Sequence, residues 1–109
     1  MSDRLFKPMN NQSITGHIVE QETLLNGTAK TGDYAFAQTG DGLFLFCLLP
    51  GDSNMHGLPL EKGKVHDRPC WNWDGDKQNP SMTPSILAYG PDGKAFWHGY
   101  LRNGRFESC

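Results

Sequence analysis

Apolar residues along this chain alternate with polar ones over short runs, and nowhere recur at helical spacing for three turns without an intervening Gly or Pro. A period of two is that of a strand with one face buried. I-T-G-H-I-V (14–19), E-T-L-L-N-G-T (22–28) and D-Y-A-F-A-Q (33–38) read as strands, followed after T-G-D-G by L-F-L-F-C-L-L (43–49), a continuous apolar run that predicts burial on both faces. C-W-N-W, S-I-L-A-Y-G and A-F-W-H-G-Y-L are further strands, with P-D-G (91–93) turning between the last two. Asn26-Gly27 marks a turn, and Asn103-Gly104 is the strongest two-residue hairpin signal in the chain. The pattern predicts an all-β fold, a small antiparallel sandwich or partly open barrel. Residues 1–13 are polar and read as a mobile N-terminal arm, leaving 14–109 as a single β domain.

The segment C-W-N-W-D-G-D-K-Q-N-P-S-M-T-P-S-I-L (70–87) interrupts the alternation. Trp71 and Trp73 lie two apart and so share a strand face. With Trp97 they are expected to form the structural core. The competing reading is a stacking platform for bases or sugars. D-G-D supplies a turn, and Pro80 and Pro84 push the residues before them into extended conformations. The ligand spacing of a calcium loop is missing beyond Asp76.

Composition narrows the classes. With 109 residues, 13 Gly, 7 Pro and a hydrophobic share of 37%, the core is modest, and domains of this size often carry a staple. The formal net charge of -2 gives no basic field for nucleic acid. No apolar run reaches membrane-spanning length, and the N-terminus lacks the apolar stretch of a secretory signal. Three cysteines, an odd count, do not suit a closed disulfide framework and point to a reducing cytoplasm.

Cysteine and histidine positions suggest a metal staple. A two-residue turn at Asn103-Gly104 pairs Arg102 with Arg105 and, counting back, His98 with Cys109. Such partners have β-carbons about 5 Å apart on one face. Cys47 and His56 lie nine apart across a Pro-Gly bend. Cys47, His56, His98 and Cys109 together form a candidate Cys₂His₂ set for a structural Zn²⁺. The alternative is an unliganded buried Cys, a surface His and a frayed terminus. His17, His66 and Cys70 are spare ligands, and a Cys/His nucleophilic dyad lacks a clear third residue.

From residue 43 onward the chain also resembles a known family. F-L-F-C ending at Cys47, the following His56-Gly57, W-N-W-D-G-D-K-Q-N-P-S-M-T-P-S-I-L, W-H-G-Y-L-R-N-G-R-F around His98, and the late Cys109 follow its pattern in order. The family comprises small domains of unknown function common in tailed-phage genomes, often mislabelled as ammonia monooxygenase. The second Cys of its C-P-x-C is absent here, and Trp97 replaces the Cys before its motif His. The resemblance implies a phage-encoded accessory protein with a metal site and no established activity.

Three functions compete. The first is a zinc-stabilised module that binds a host or phage protein through the tip at Arg102 and Arg105, inhibiting a host defence or nucleic-acid-handling complex as an anti-CRISPR protein would. The second is a metal-dependent enzyme of hydrolase type, which needs an open zinc position. The third is a nucleic-acid binder using Trp71, Trp73, Arg102 and Arg105, against which the net negative charge counts. The missing catalytic constellation favours binding over turnover.

Overall fold

The structure, a computed structural model, describes residues 11–60 and 70–109. The expected arm over residues 1–13 falls largely outside these residues, as does His66. The fold is mostly β, with antiparallel pairing dominant. In chain order the elements are β1 (Ile14–Thr15), β2 (His17–Ile18), α1 (Gln21–Leu25), β3 (Asp33–Thr39), β4 (Gly42–Cys47), β5 (His56–Pro59), β6 (Asn72–Trp73), β7 (Met82–Thr83), β8 (Ile86–Tyr89), β9 (Ala95–Arg102) and β10 (Arg105–Ser108). One four-stranded sheet runs β1-β10-β9-β8, a second runs β2-β3-β4-β5, and β6 pairs with β7.

The two large sheets share one apolar core. Trp97, Leu101 and Phe106 enter it from the first sheet and Tyr34, Leu45, Cys47 and Leu58 from the second. Alternation decides which residues face inward. On β9, Trp97, Gly99 and Leu101 are buried while Phe96, His98 and Tyr100 are half-buried on the other face. A Cβ on Gly99 would run into the Glu107 carbonyl and the Trp97 ring, so this glycine lets the largest core side chain lie over its own strand. The Trp97 indole N–H donates to the Gln12 carbonyl at 3.0 Å, satisfying its one polar atom.

Asn103-Gly104 forms the expected turn, with both residues at positive φ (49° and 77°), and β10 pairs with β9 in the counted register: Arg105 opposite Arg102, through to Ser108 opposite Gly99. The Cys109 N–H continues the ladder to the His98 carbonyl at 3.1 Å.

Three expectations are corrected. Residues 14–19 are not one strand. The chain leaves the first sheet after Thr15 and joins the second at His17, where β2 pairs in parallel with β3. Gly16 is the corner: its N–H bonds the Gly104 carbonyl at 2.8 Å, and a Cβ there would meet that oxygen at 2.7 Å. Residues 22–28 are not a strand either, because Gln21–Leu25 is helical. Leu24 and Leu25 line an apolar hollow with Ala35, Ala37, Phe46 and Met55, so the small outer residues of β3 make room for a helical turn. The run 43–49 is not buried throughout: Leu45 and Cys47 point into the core, whereas Phe44 and Phe46 are half-buried and stack on each other at 5.5 Å. Of the three tryptophans, Trp97 is fully buried, while Trp71 and Trp73 pack half-buried against the core.

The segment between β6 and β8 is a hydrogen-bonded connector. Asp74 Oδ1 accepts from the Asp76 and Ser81 N–H groups, and Asp76 Oδ1 from those of Gln78 and Asn79. Trp73 stacks on Phe36 at 4.6 Å and donates its indole N–H to the Asp76 carbonyl. Tyr34 from the core donates its hydroxyl to the Lys77 carbonyl at 2.9 Å. Burial raises the Tyr34 phenol above its ordinary pKa, reinforced by the nearby Asp76 charge. The Gly104 N–H bonds the Pro80 carbonyl and the Asn103 N–H bonds Ser81 Oγ, so the connector is fastened to the β9–β10 turn. It then delivers the chain through the cis Thr83–Pro84 peptide to Ser85.

Candidate active site

Ser85 is the residue immediately before β8, and β8 lies antiparallel to β9 with Leu87 opposite His98. Ser85 and Leu87 are two apart, so both stand on the outer face of the sheet with His98. Ser85 Oγ and His98 Nε2 are 3.0 Å apart. On the other side of the imidazole, Cys109 Sγ lies 3.4 Å from Nδ1. The start of β8, the middle of β9 and the end of β10 thus each bring one side chain to a line, hydroxyl–imidazole–thiol. Ser85 and His98 are half-buried and Cys109 is exposed, so the line is open to solvent at one end.

The ring has two nitrogens and each has one partner. With the Ser85 hydroxyl donating to Nε2, Nδ1 carries the proton and donates it to the Cys109 sulfur. That tautomer leaves Nε2 basic toward the serine.

The four sequence-expected metal ligands do not converge. His98 and Cys109 do meet, as the hairpin register requires, and Cys47 lies opposite His56 across β4 and β5. Cys47, however, sits at 0% exposure in the apolar core, and burial pushes its thiol up to about 12, opposite to what a thiolate ligand needs. His56 Nε2 is engaged by Asp52 Oδ2 at 3.0 Å, and its ring lies 5.3 Å from that of Phe96. Among the described residues no group of three or more His, Cys, Asp or Glu side chains is placed to hold a metal ion. As placed, Cys47, His56, His98 and Cys109 therefore do not form a closed zinc site. Cys70 is half-buried and His17 exposed on β2.

The tip arginines are both exposed and tied within the chain. The Arg102 guanidinium lies 4.1 Å from the centre of the Tyr100 ring and 3.8 Å from Glu107, and Arg105 donates to Thr15 Oγ1 at 3.1 Å.

Sequence reasoning found His98 and Cys109 but passed over Ser85. The signal was present: S-I-L-A-Y-G and A-F-W-H-G-Y-L were both legible as strands around P-D-G. The five-residue return from Gly90 to Lys94 and the irregularity between Ala88 and Tyr89 shift the pairing, so the register could not be counted from the turn as it was at Asn103-Gly104.

A serine hydroxyl bonded to an imidazole whose far nitrogen is held by a third side chain is the arrangement that serine hydrolases use. The chain belongs to the family described as bacterial ubiquitination-like system serine protease (BubE), whose profile matches residues 20–109. No curated protein and no solved structure matches it. The family overturns the reading of the chain as a zinc-stabilised phage module that inhibits a host defence complex: it points to a protease of a bacterial system, and zinc, phage origin and anti-CRISPR activity lose their support. Among the described residues no helix is long and apolar enough to cross a membrane.

Proposed function

We propose that the chain cleaves peptide bonds with Ser85 as nucleophile and His98 as general base. The observation that supports this most directly is the 3.0 Å contact between Ser85 Oγ and His98 Nε2, within the reach required for proton transfer. Ser85 Oγ attacks the scissile carbonyl carbon as its proton passes to Nε2. The C–N bond then breaks, and His98 returns that proton to the departing amine. A water molecule, deprotonated by the same nitrogen, attacks the acyl ester, releasing the carboxylic acid and restoring the serine. Cys109 serves as a positioning residue: its sulfur holds the Nδ1–H side of the ring, where serine proteases more often place a carboxylate.

The family description names a ubiquitination-like system, and a protein of that system is the substrate class we assign. A cytoplasmic setting fits the unbridged thiols of Cys47 and Cys109.

The test is labelling with ethyl fluorophosphonate, read by intact mass and peptide mapping. Ser85 is expected to carry the adduct, and Ser85→Ala and His98→Ala are each expected to abolish labelling while keeping the native circular dichroism spectrum. On a cleavable protein the loss should be about 10⁴-fold or more in kcat, the scale for removing a nucleophile or its base. An adduct on another residue, or unchanged labelling of Ser85→Ala, defeats the proposal.

A further inference from the structure

Sheet order leaves β8 at an edge: it pairs with β9 on one side, and among the described residues no strand pairs with the other. A strand edge exposes a row of backbone N–H and C=O groups, and proteins ordinarily guard it with charge, proline or brevity. The opposite edge of this sheet, β1, is only two residues long. The edge at β8 reads Ile-Leu-Ala-Tyr with no charge or proline, and its outward side chains are large and uncovered: Leu87 is 46% exposed and Tyr89 55%. Both share the face of Ser85 and His98 by alternation, and Leu87 is the direct partner of His98. The unguarded edge therefore begins at the nucleophile.

We infer that β8 is the substrate-docking strand: an extended segment of the substrate pairs antiparallel with Ile86–Tyr89, its apolar side chains lying beside Leu87 and Tyr89, and its scissile carbonyl arrives at Ser85. This deepens the proposed protease function and rests on it. Direction follows from polarity. A strand antiparallel to β8 passes Tyr89 first and reaches Ser85 last, so the residues that pair are those N-terminal to the scissile bond. These are the residues that stay attached as the acyl ester, so the same ladder holds the chain through acylation and deacylation. Backbone bonds supply affinity in such pairing, and pockets beside alternate side chains supply selectivity. Leu87 and Tyr89 are thus specificity determinants, and the substrate is a flexible segment or tail with apolar residues at alternate positions upstream of the cleaved bond. A folded helix or a closed loop cannot present that edge.

The test compares phosphonylation rates, in which the Ser85 Oγ–phosphorus bond forms and phenoxide leaves. The probes are the diphenyl phosphonate analogue of acetyl-valine and the same warhead on acetyl-Val-Ala-Val-Ala-Val, with a third carrying N-methyl groups on its second and third residues from the warhead. The pentapeptide is expected to react at least about tenfold faster than the single residue, a difference of about 1.4 kcal/mol. N-methylation, which removes backbone donors, should erase the gain, and Leu87→Ser with Tyr89→Ser should reduce the pentapeptide-to-single-residue rate ratio. An equal rate for the single-residue and pentapeptide probes, or a gain that survives N-methylation, overturns edge docking while labelling by ethyl fluorophosphonate still supports the serine reading. Failure of ethyl fluorophosphonate to label Ser85 removes both. If a second copy of the chain covers β8 instead, sedimentation equilibrium shows a dimer and the pentapeptide confers no gain, which also overturns it.

Discussion

Cys47 and Cys109 show how burial sorts identical side chains into different chemistry. Both are free thiols within strand ladders. Cys47 is enclosed by Tyr34, Leu45 and Leu58, and desolvation pushes its pKa up to about 12. At pH 8 that thiol therefore stays protonated and unreactive. Cys109 is exposed and touches the imidazole of His98. Iodoacetamide at pH 8 is therefore expected to alkylate Cys109 in the native protein and Cys47 only after denaturation, as read by peptide mass mapping. Because Cys109 holds the ring, its alkylation and Cys109→Ala should lower kcat with little change in KM, and Cys109→Ser should recover part of the loss. Native alkylation of Cys47 at the Cys109 rate would contradict its place in the core.

At the scale of elements, strand length and burial separate the three tryptophans expected in the core. Trp71 and Trp73 sit in the most distinctive stretch, yet their strand β6 is only two residues long and packs beside the core. Trp97 lies on the eight-residue β9, between β8 and β10, at 0% exposure, with Phe106 edge-on at 6.4 Å. Trp97→Ala is expected to cost about 3–5 kcal/mol, the range for emptying a buried aromatic site. Trp73→Ala should cost less, about 1–3 kcal/mol, because its half-exposed ring loses mainly the stack on Phe36 and the bond to the Asp76 carbonyl. Urea unfolding of both variants decides the order; a larger loss at Trp73 would mean that the connector, and not β9, governs the fold. Gln21–Leu25 carries a parallel lesson: its residues fall in a stretch that reads as strand, and packing over Ala35 and Ala37 selected the helical turn.

Over the whole molecule, the two sheets are joined by the common core, by the strand crossing at Gly16 and by His56 of β5, whose ring lies against Phe96 of β9. Asp52 holds that histidine. Burial raises the Asp52 carboxyl, but hydrogen bonds from His56 and from the Asn54 and Ser53 backbone, with the His56 charge, outweigh it and hold the group below its ordinary value. A carboxyl lower in the folded than in the unfolded chain stabilises the fold above its unfolded pKa, and that contribution fades as pH falls through the folded value. Acid titration of unfolding free energy should therefore show stability falling below the ordinary carboxylate range, and Asp52→Asn should flatten that decline while lowering stability at neutral pH. An acid limb identical in the variant would show that the Asp52–His56 contact contributes nothing to the fold.

The sequence by itself determined what depends on near neighbours. Alternation put Trp97, Leu101 and Phe106 on one face of a hairpin. Asn103 and Gly104, able to take positive φ, set a register that brought Cys109 to His98 across only ten intervening residues. Tertiary structure decided the partners that this periodicity does not encode. It drew Cys47 into the apolar core, bound His56 to Asp52, and moved the chain between sheets at Gly16, where only a glycine fits against the Gly104 carbonyl. Above all it placed Ser85 on His98. Period-two patterning states which way a side chain points but not which residue stands beside it on the next strand. That pairing was settled by the irregularity after Ala88 and by a connector fastened at Tyr34, Pro80 and Ser81, contacts whose partners lie up to 44 residues apart.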